Sequence, residues 1–192
     1  MTTTTTAAAT QPTSRRTLGR WMISFLGFPL GGAAAILTVG PVDSLGTAVV
    51  GGLVTGAVLG AVQGWAMRAD RALLVLWTVA TAVGLAGGLA VGTALVDFGT
   101  GLDDLVLQGA VSGFGVGVAQ AAVLFRRTGP RTPFWPVWLA VVWAVSWAVS
   151  TSIGIQVGDQ FTVFGAAGAL TATLLTAALP GVVARASAEE RS

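Results

Sequence analysis

The chain has 192 residues, 54% of them hydrophobic and only 9% charged, with a formal net charge of +2. Soluble domains carry roughly 25% charged residues, so this composition excludes a water-soluble globule and points to a lipid-embedded one. The absence of Cys, His, Lys, Tyr and Asn removes disulfides, His or Cys metal sites, Schiff-base lysines and His-based triads.

Residues 1–19 differ in composition from the rest of the chain. Threonines at 2–6 and alanines at 7–9 form a low-complexity tract, followed by Pro12 and the basic residues Arg15, Arg16 and Arg20. Such a stretch has too little apolar surface to offset its ordering entropy, so it reads as a disordered tail whose arginines flank a first membrane helix. From 20 to 185 the sequence divides into six apolar segments: 20–39, 44–67, 72–96, 104–125, 134–156 and 160–183. Each is long enough for the ~20 residues that cross a bilayer core. Breaks fall at Gly40 to Asp43, at Arg68 to Arg71, at Asp97 to Asp104, at Arg126 to Pro133, and at Gly158-Asp159. Connections this short predict antiparallel neighbours. Residues 186–192 form a short second tail.

The charges sort by side. All ten basic residues are arginines, and they lie in the tails and the even-numbered turns; Asp43, Asp97, Asp103, Asp104 and Asp159 lie in the odd-numbered turns. With Asp70, Glu189 and Glu190 set against the ten arginines, one side nets +7 and the other −5. The positive-inside rule therefore places both termini in the cytoplasm of a multi-pass cell (inner) membrane protein. A basic pI near 11.0 is then ordinary topology, with no nucleic-acid partner implied. Asp43, Asp103 or Asp104, and Asp159 each precede an even-numbered helix, where a carboxylate can cap backbone N–H groups and meet the positive end of the helix dipole.

An internal repeat emerges from the even helices. Small residues recur every fourth position at Ala48, Gly52, Gly56, Gly60 and Gly64; a shift of 57 gives Leu105, Gly109, Gly113, Gly117 and Ala121. A further shift of 56 gives Phe161, Gly165, Ala169, Thr173 and Ala177, and Trp21 aligns with Trp77. The expected architecture is an all-α integral membrane bundle of six transmembrane helices. It is built as three parallel helical-hairpin repeats, about 20–68, 72–127 and 134–185. Residues four apart share a helix face, and small ones there let a neighbouring backbone approach. Gly52, Gly56, Gly60, Gly109, Gly113, Gly117, Gly165 and Ala169 are thus the expected packing devices. Gly113-Phe114-Gly115-Val116-Gly117 is no nucleotide loop, since it lies within a membrane-length apolar segment and no Lys accompanies it.

Two glutamines interrupt this packing account. Gln63 and Gln120 occupy equivalent positions on the ridge face, and Thr176 completes the set in the third repeat. Their expected roles are interhelical hydrogen bonding, or a polar ring lining a solute path; amides cannot relay protons as buried carboxylates do. Trp21, Trp65, Trp77, Trp135 and Trp138 read as an interfacial belt, with Trp143 and Trp147 as a deeper stripe suited to packing, to lipid or to a flat apolar ligand. No cofactor or metal set is expected.

The order of Gly ridge, Gln and Arg resembles uncharacterised bacterial multispan membrane proteins built from repeated hairpins, in which a GxxxGxxQW-type motif ends in Leu-Arg. Here Gly56, Gly60 and Gln63 lead to Met67-Arg68 with Trp65 displaced by one, and Gly113, Gly117 and Gln120 lead to Leu124-Phe125-Arg126 without the Trp. The resemblance implies no activity. Size and span count also resemble the S-components of energy-coupling-factor transporters. The sequence therefore leaves two readings: a non-catalytic scaffold or complex subunit partnered by lipid, other membrane subunits or its own copies; or a small-solute channel or substrate-binding transporter subunit. An enzyme is not expected, because the chain offers no nucleophile–base pair.

Overall fold

The computed structural model describes residues 15–128, 133–153 and 164–189. These residues are helical: α1 (Arg15–Ile23), α2 (Gly27–Val39), α3 (Leu45–Ala66), α4 (Arg71–Leu95), α5 (Leu102–Thr128), α6 (Trp135–Ser152), α7 (Ala166–Leu175) and α8 (Leu179–Glu189). Among them six stretches are long and apolar enough to cross a membrane, α1–α2 and α7–α8 each making up one. The protein is an all-helical, membrane-embedded bundle. The tail residues before Arg15, the Gly158-Asp159 turn and the ridge position Phe161 lie outside the described residues.

Two spans depart from a straight helix, and proline explains both. The first begins at Arg15, inside the stretch expected to be tail, and tightens into a 3-10 turn at Ser24–Leu26. Pro29 has no N–H and its ring crowds the carbonyl of Phe25, so the turn before it cannot keep α-helical geometry. Ser24 Oγ donates to Trp21 O at 2.6 Å within that turn. The last span breaks at Thr176 to Ala178, four residues and fewer before Pro180, where Leu179 N reaches Thr176 O and Gly181 N reaches Ala178 O, each across three residues.

The helix ends are set by local chemistry. Ser44, not Asp43, caps α3: it exchanges hydrogen bonds with Thr47, while Asp43 Oδ1 accepts from the Thr47 hydroxyl at 3.2 Å. The hydroxyl fits the tight reciprocal box, leaving the carboxylate one residue outside it. Asp70 caps α4 by accepting from Leu73 N at 2.8 Å. At the far end of α3, Ala69 N donates to Gly64 O and Arg68 N to Trp65 O. This paired closure forces Arg68 to φ 57°, a left-handed conformation usually given to glycine.

Successive spans pack side by side from α2 to α7, and α1 with its 3-10 turn contacts α7 and α8, so the last span returns to the first. The buried residues form two layers. One, toward the arginine-bearing end, gathers Trp21, Trp77, Leu73, Val123, Leu124 and Leu179. The other gathers Phe28, Leu59, Leu85, Leu89, Leu105, Trp143, Trp147 and Phe164. Leu37, Val79, Val83 and Leu95 are more than half exposed, as expected of side chains that face acyl chains.

Candidate functional site

Glycine brings the helices together before any polar contact forms. A Cβ at Gly56 would lie 2.6 Å from Ala82 Cα, one at Gly52 2.7 Å from Ala86 Cα, and one at Gly60 2.8 Å from Thr78 Cα. The α3 ridge therefore seats directly on the α4 backbone. On α5, a Cβ at Gly113 would come 2.9 Å from Leu139 C, one at Gly117 2.5 Å from Pro136 Cα, and Gly109 faces Trp143 and Trp147 of α6. In the last span Ala169 is fully buried. There a Cβ at Gly168 would lie 2.5 Å from Ser146 O. Gly165 stands as the N-cap of α7.

These approaches bring indoles against glutamines. Trp77 Nε1 donates to Gln63 Oε1 at 3.1 Å, and Trp135 Nε1 donates to Gln120 Oε1 at 3.1 Å. Gln120 Nε2 donates onward to Thr81 Oγ1 at 2.9 Å, whose own proton goes to Trp77 O at 2.8 Å. Trp21 Nε1 donates to Thr173 O at 2.9 Å, linking the first span to the last. Trp21 and Trp77 are thus interior donors, while Trp65 and Trp138 stay 49% and 42% exposed. Spacing along the helix could not separate these two groups, because both belong to the same depth.

Gln63, Gln120 and Thr176 converge on one cavity, together with Trp21, Phe28, Leu59, Trp135 and Trp143. Its volume is about 20 Å³. A single water needs about 10–15 Å³, so the space accepts one water and no larger solute. Thr176 lines it with its hydroxyl proton already given to Ala172 O at 2.7 Å. Beside the cavity, the Phe28, Trp143, Phe164 and Trp147 rings pack with centroids 4.9–6.0 Å apart. The deeper tryptophan stripe is therefore filled by the protein's own aromatics.

A second polar pair escaped sequence reasoning. Gln108 is 1% exposed and Ser112 fully buried, and neither the Gln108 amide nor the Ser112 hydroxyl has a hydrogen-bond partner. An unmet buried polar group costs about 1–3 kcal/mol. A signal exists in the sequence: Asp104, Gln108, Ser112, Val116 and Gln120 recur every fourth residue along one α5 face. The stronger glycine periodicity one residue away, at Gly109, masks it.

On the outside, α4 and α5 leave a groove of about 290 Å³ lined by Leu76, Val79, Ala80, Val83, Ala119 and Ala122, with Arg126 at its end. No protein-family model matches the chain, and neither a curated protein nor a solved structure matches it.

Proposed function

We propose that the chain is a non-catalytic, multi-pass inner-membrane protein that acts as a packing scaffold or as a subunit of a membrane complex. The observation that carries this reading is the cavity of about 20 Å³ at Gln63 and Gln120, whose side-chain carbonyls are both taken by indole N–H groups. Ligand pockets for small molecules run to about 300–1,000 Å³, more than tenfold larger. Both termini are assigned to the cytoplasm, on the strength of the arginine distribution.

The architecture we propose is a ring of three parallel hairpins. Its support is the recurrence of one contact at each junction: the leading tryptophan of a hairpin donates to the second helix of the hairpin before it. Trp77 reaches Gln63, Trp135 reaches Gln120, and Trp21 reaches Thr173, three residues from the aligned Thr176. Matched close approaches within the first two hairpins, Gly31 to Thr55 and Gly88 to Ser112, support the same register. The resemblance to repeated-hairpin bacterial membrane proteins fits this arrangement.

The alternative, a small-solute channel or transporter binding subunit, is favoured by the convergence of three polar residues on one space. Reconstituted liposomes separate the two. The scaffold reading expects glycerol and urea to leave protein-containing liposomes no faster than empty ones. Protein-dependent flux that Gln63→Leu with Gln120→Leu abolishes would overturn it. Purification in mild detergent is expected to retain a stoichiometric membrane partner or a second copy, and persistent isolation as a lone monomer would count against the subunit role.

A further inference from the structure

The interior of this bundle holds many hydroxyls, and nearly all are satisfied in one way. Thr81, Thr93, Ser146, Thr173 and Thr176 each donate to the carbonyl four residues earlier. Thr55 donates across to Gly31 O at 3.1 Å, and Ser150 Oγ accepts from Gly168 N at 3.1 Å. Gln108 and Ser112 break this pattern together, with three buried polar atoms left without a partner. They lie one turn apart on the same helix face.

That face has a direction. One turn before Gln108 stands Asp104, only partly buried, its Oδ2 accepting from Gly101 N at 3.2 Å at the start of α5. Two turns beyond Gln108 stands Val116, 1% exposed, and past it Gln120 has both its amide oxygen and nitrogen bonded. Across the face, Gly92 and Gly88 hold α4 close: a Cβ at Gly92 would lie 3.4 Å from Gln108 Cγ, and one at Gly88 2.8 Å from Ser112 Cα. Polar groups thus descend from a carboxylate at the aspartate-bearing end and stop at an apolar residue in the middle of the bundle.

We propose that Asp104, Gln108 and Ser112 line a blind inlet, opening at the aspartate-bearing end and reaching ~12 Å along α5, that binds water or a neutral solute of water's size. The donor set fixes the ligand's chemistry. An amide supplies two N–H donors and a carbonyl acceptor, and a hydroxyl supplies one more of each. Neither carries charge, so the inner end of the inlet recognises its occupant by hydrogen bonds alone. An occupant bridging two such groups satisfies all three atoms at once. This inference is independent of the scaffold reading: a blind, hydrated inlet serves a scaffold as well as a solute-handling protein.

The absence of native cysteine makes the test direct. Ser112→Cys changes little in size, and it is probed in right-side-out and inverted membrane vesicles with Ag⁺, a water-sized ion that caps thiols. Protection against later alkylation in denaturant is read by intact mass. Ser146→Cys, at similar depth but with its hydroxyl bonded to Val142 O, is the dry comparison. Leu102→Cys and Ala72→Cys, at exposed helix starts, mark the two sides. The inlet predicts capping of Ser112→Cys at least tenfold faster than Ser146→Cys, and only from the side that reaches Leu102→Cys. Equal rates at the two serine positions, or no capping at Ser112→Cys while Leu102→Cys is consumed, would overturn it, leaving a dry pair with Ser112 turned onto the Gln108 carbonyl. Capping from both sides would overturn it as well, because the path would then run through. If Ser112→Cys does not accumulate, Gln108→Cys carries the same expectations.

Discussion

At the residue scale, the interior glutamines are not equivalent. Gln120 joins α5 to both α6 and α4 through Trp135 and Thr81, whereas Gln63 takes the Trp77 indole proton from α4. Gln120→Leu leaves the Trp135 N–H unmet and the Thr81 hydroxyl without its donor. Interhelical hydrogen bonds in membranes average about 0.6 kcal/mol, with model systems at about 1–2. Gln120→Leu is therefore expected to lower stability by about 1–2 kcal/mol and Gln63→Leu by about half that, measured by denaturant titration in mixed micelles with tryptophan emission as the signal. Equal losses would mean that the Thr81 link adds nothing. Arg20 adds a different anchor, with its guanidinium 4.4 Å from the Trp65 ring centre and donating to Trp65 O at 2.7 Å.

At the element scale, α3 and α5 are seated by absence of side chain. Lipid surrounds the bundle, so burying apolar area gives no driving force between helices, and van der Waals contact must supply it. That makes the ridge glycines intolerant in proportion to what faces them. Gly56→Leu would drive a side chain into Ala82 Cα and the Thr81 carbonyl, both backbone atoms that cannot swing aside. Overpacking of this kind costs about 1–3 kcal/mol or more, and the folded yield is expected to fall sharply. Gly87, on the facing helix α4, has nothing within 4 Å of its would-be Cβ. Gly87→Ala is expected to be neutral or to stabilise by up to ~1 kcal/mol, since alanine is the better helix former. Monodispersity and thermal unfolding of the two variants, side by side, test whether packing or glycine content as such specifies the helix.

At the scale of the whole molecule, the contact between α1 and α7 turns a row of spans into a closed bundle. Trp21 is 1% exposed and its indole N–H holds the Thr173 carbonyl, joining helices from opposite ends of the chain. Trp21→Phe removes that bond while keeping most of the ring, and its expected effect is loss of about 1 kcal/mol with the spans intact. A circular permutant that opens between Ala69 and Asp70 and joins the present ends offers a stronger test of the hairpin ring. It keeps the arginines on one side and should insert, fold and unfold within a few degrees of the parent. Failure to insert would argue that the order of synthesis, rather than the closed packing, determines the fold.

Much of this fold is legible in the sequence. Hydropathy locates the six spans, because membrane insertion depends on a property summed along a local stretch of chain. Four-residue periodicity locates the ridges on α3 and α5, because helical geometry turns spacing into a shared face. The limits are equally physical. Gly168 makes a close approach to α6 that the four-residue ridge does not single out, because residues three apart share a face as well. Ser44 caps α3 in place of Asp43, since a cap depends on backbone angles at a single position. The break at Thr176 is hidden within an apolar run, although Pro180 announces it.

The sequence by itself determined the class of protein, its spans and which turns carry which charge, all of them additive along the chain. The tertiary structure alone decided which polar residues are satisfied and how much space they enclose. Trp77 finds Gln63, Trp135 finds Gln120 and Trp21 finds Thr173 only after the helices have packed. Hydrogen-bond satisfaction and cavity volume depend on partners from separate helices. For that reason Gln120, prominent in the sequence, has both its amide oxygen and nitrogen bonded, while Gln108, inconspicuous there, has neither.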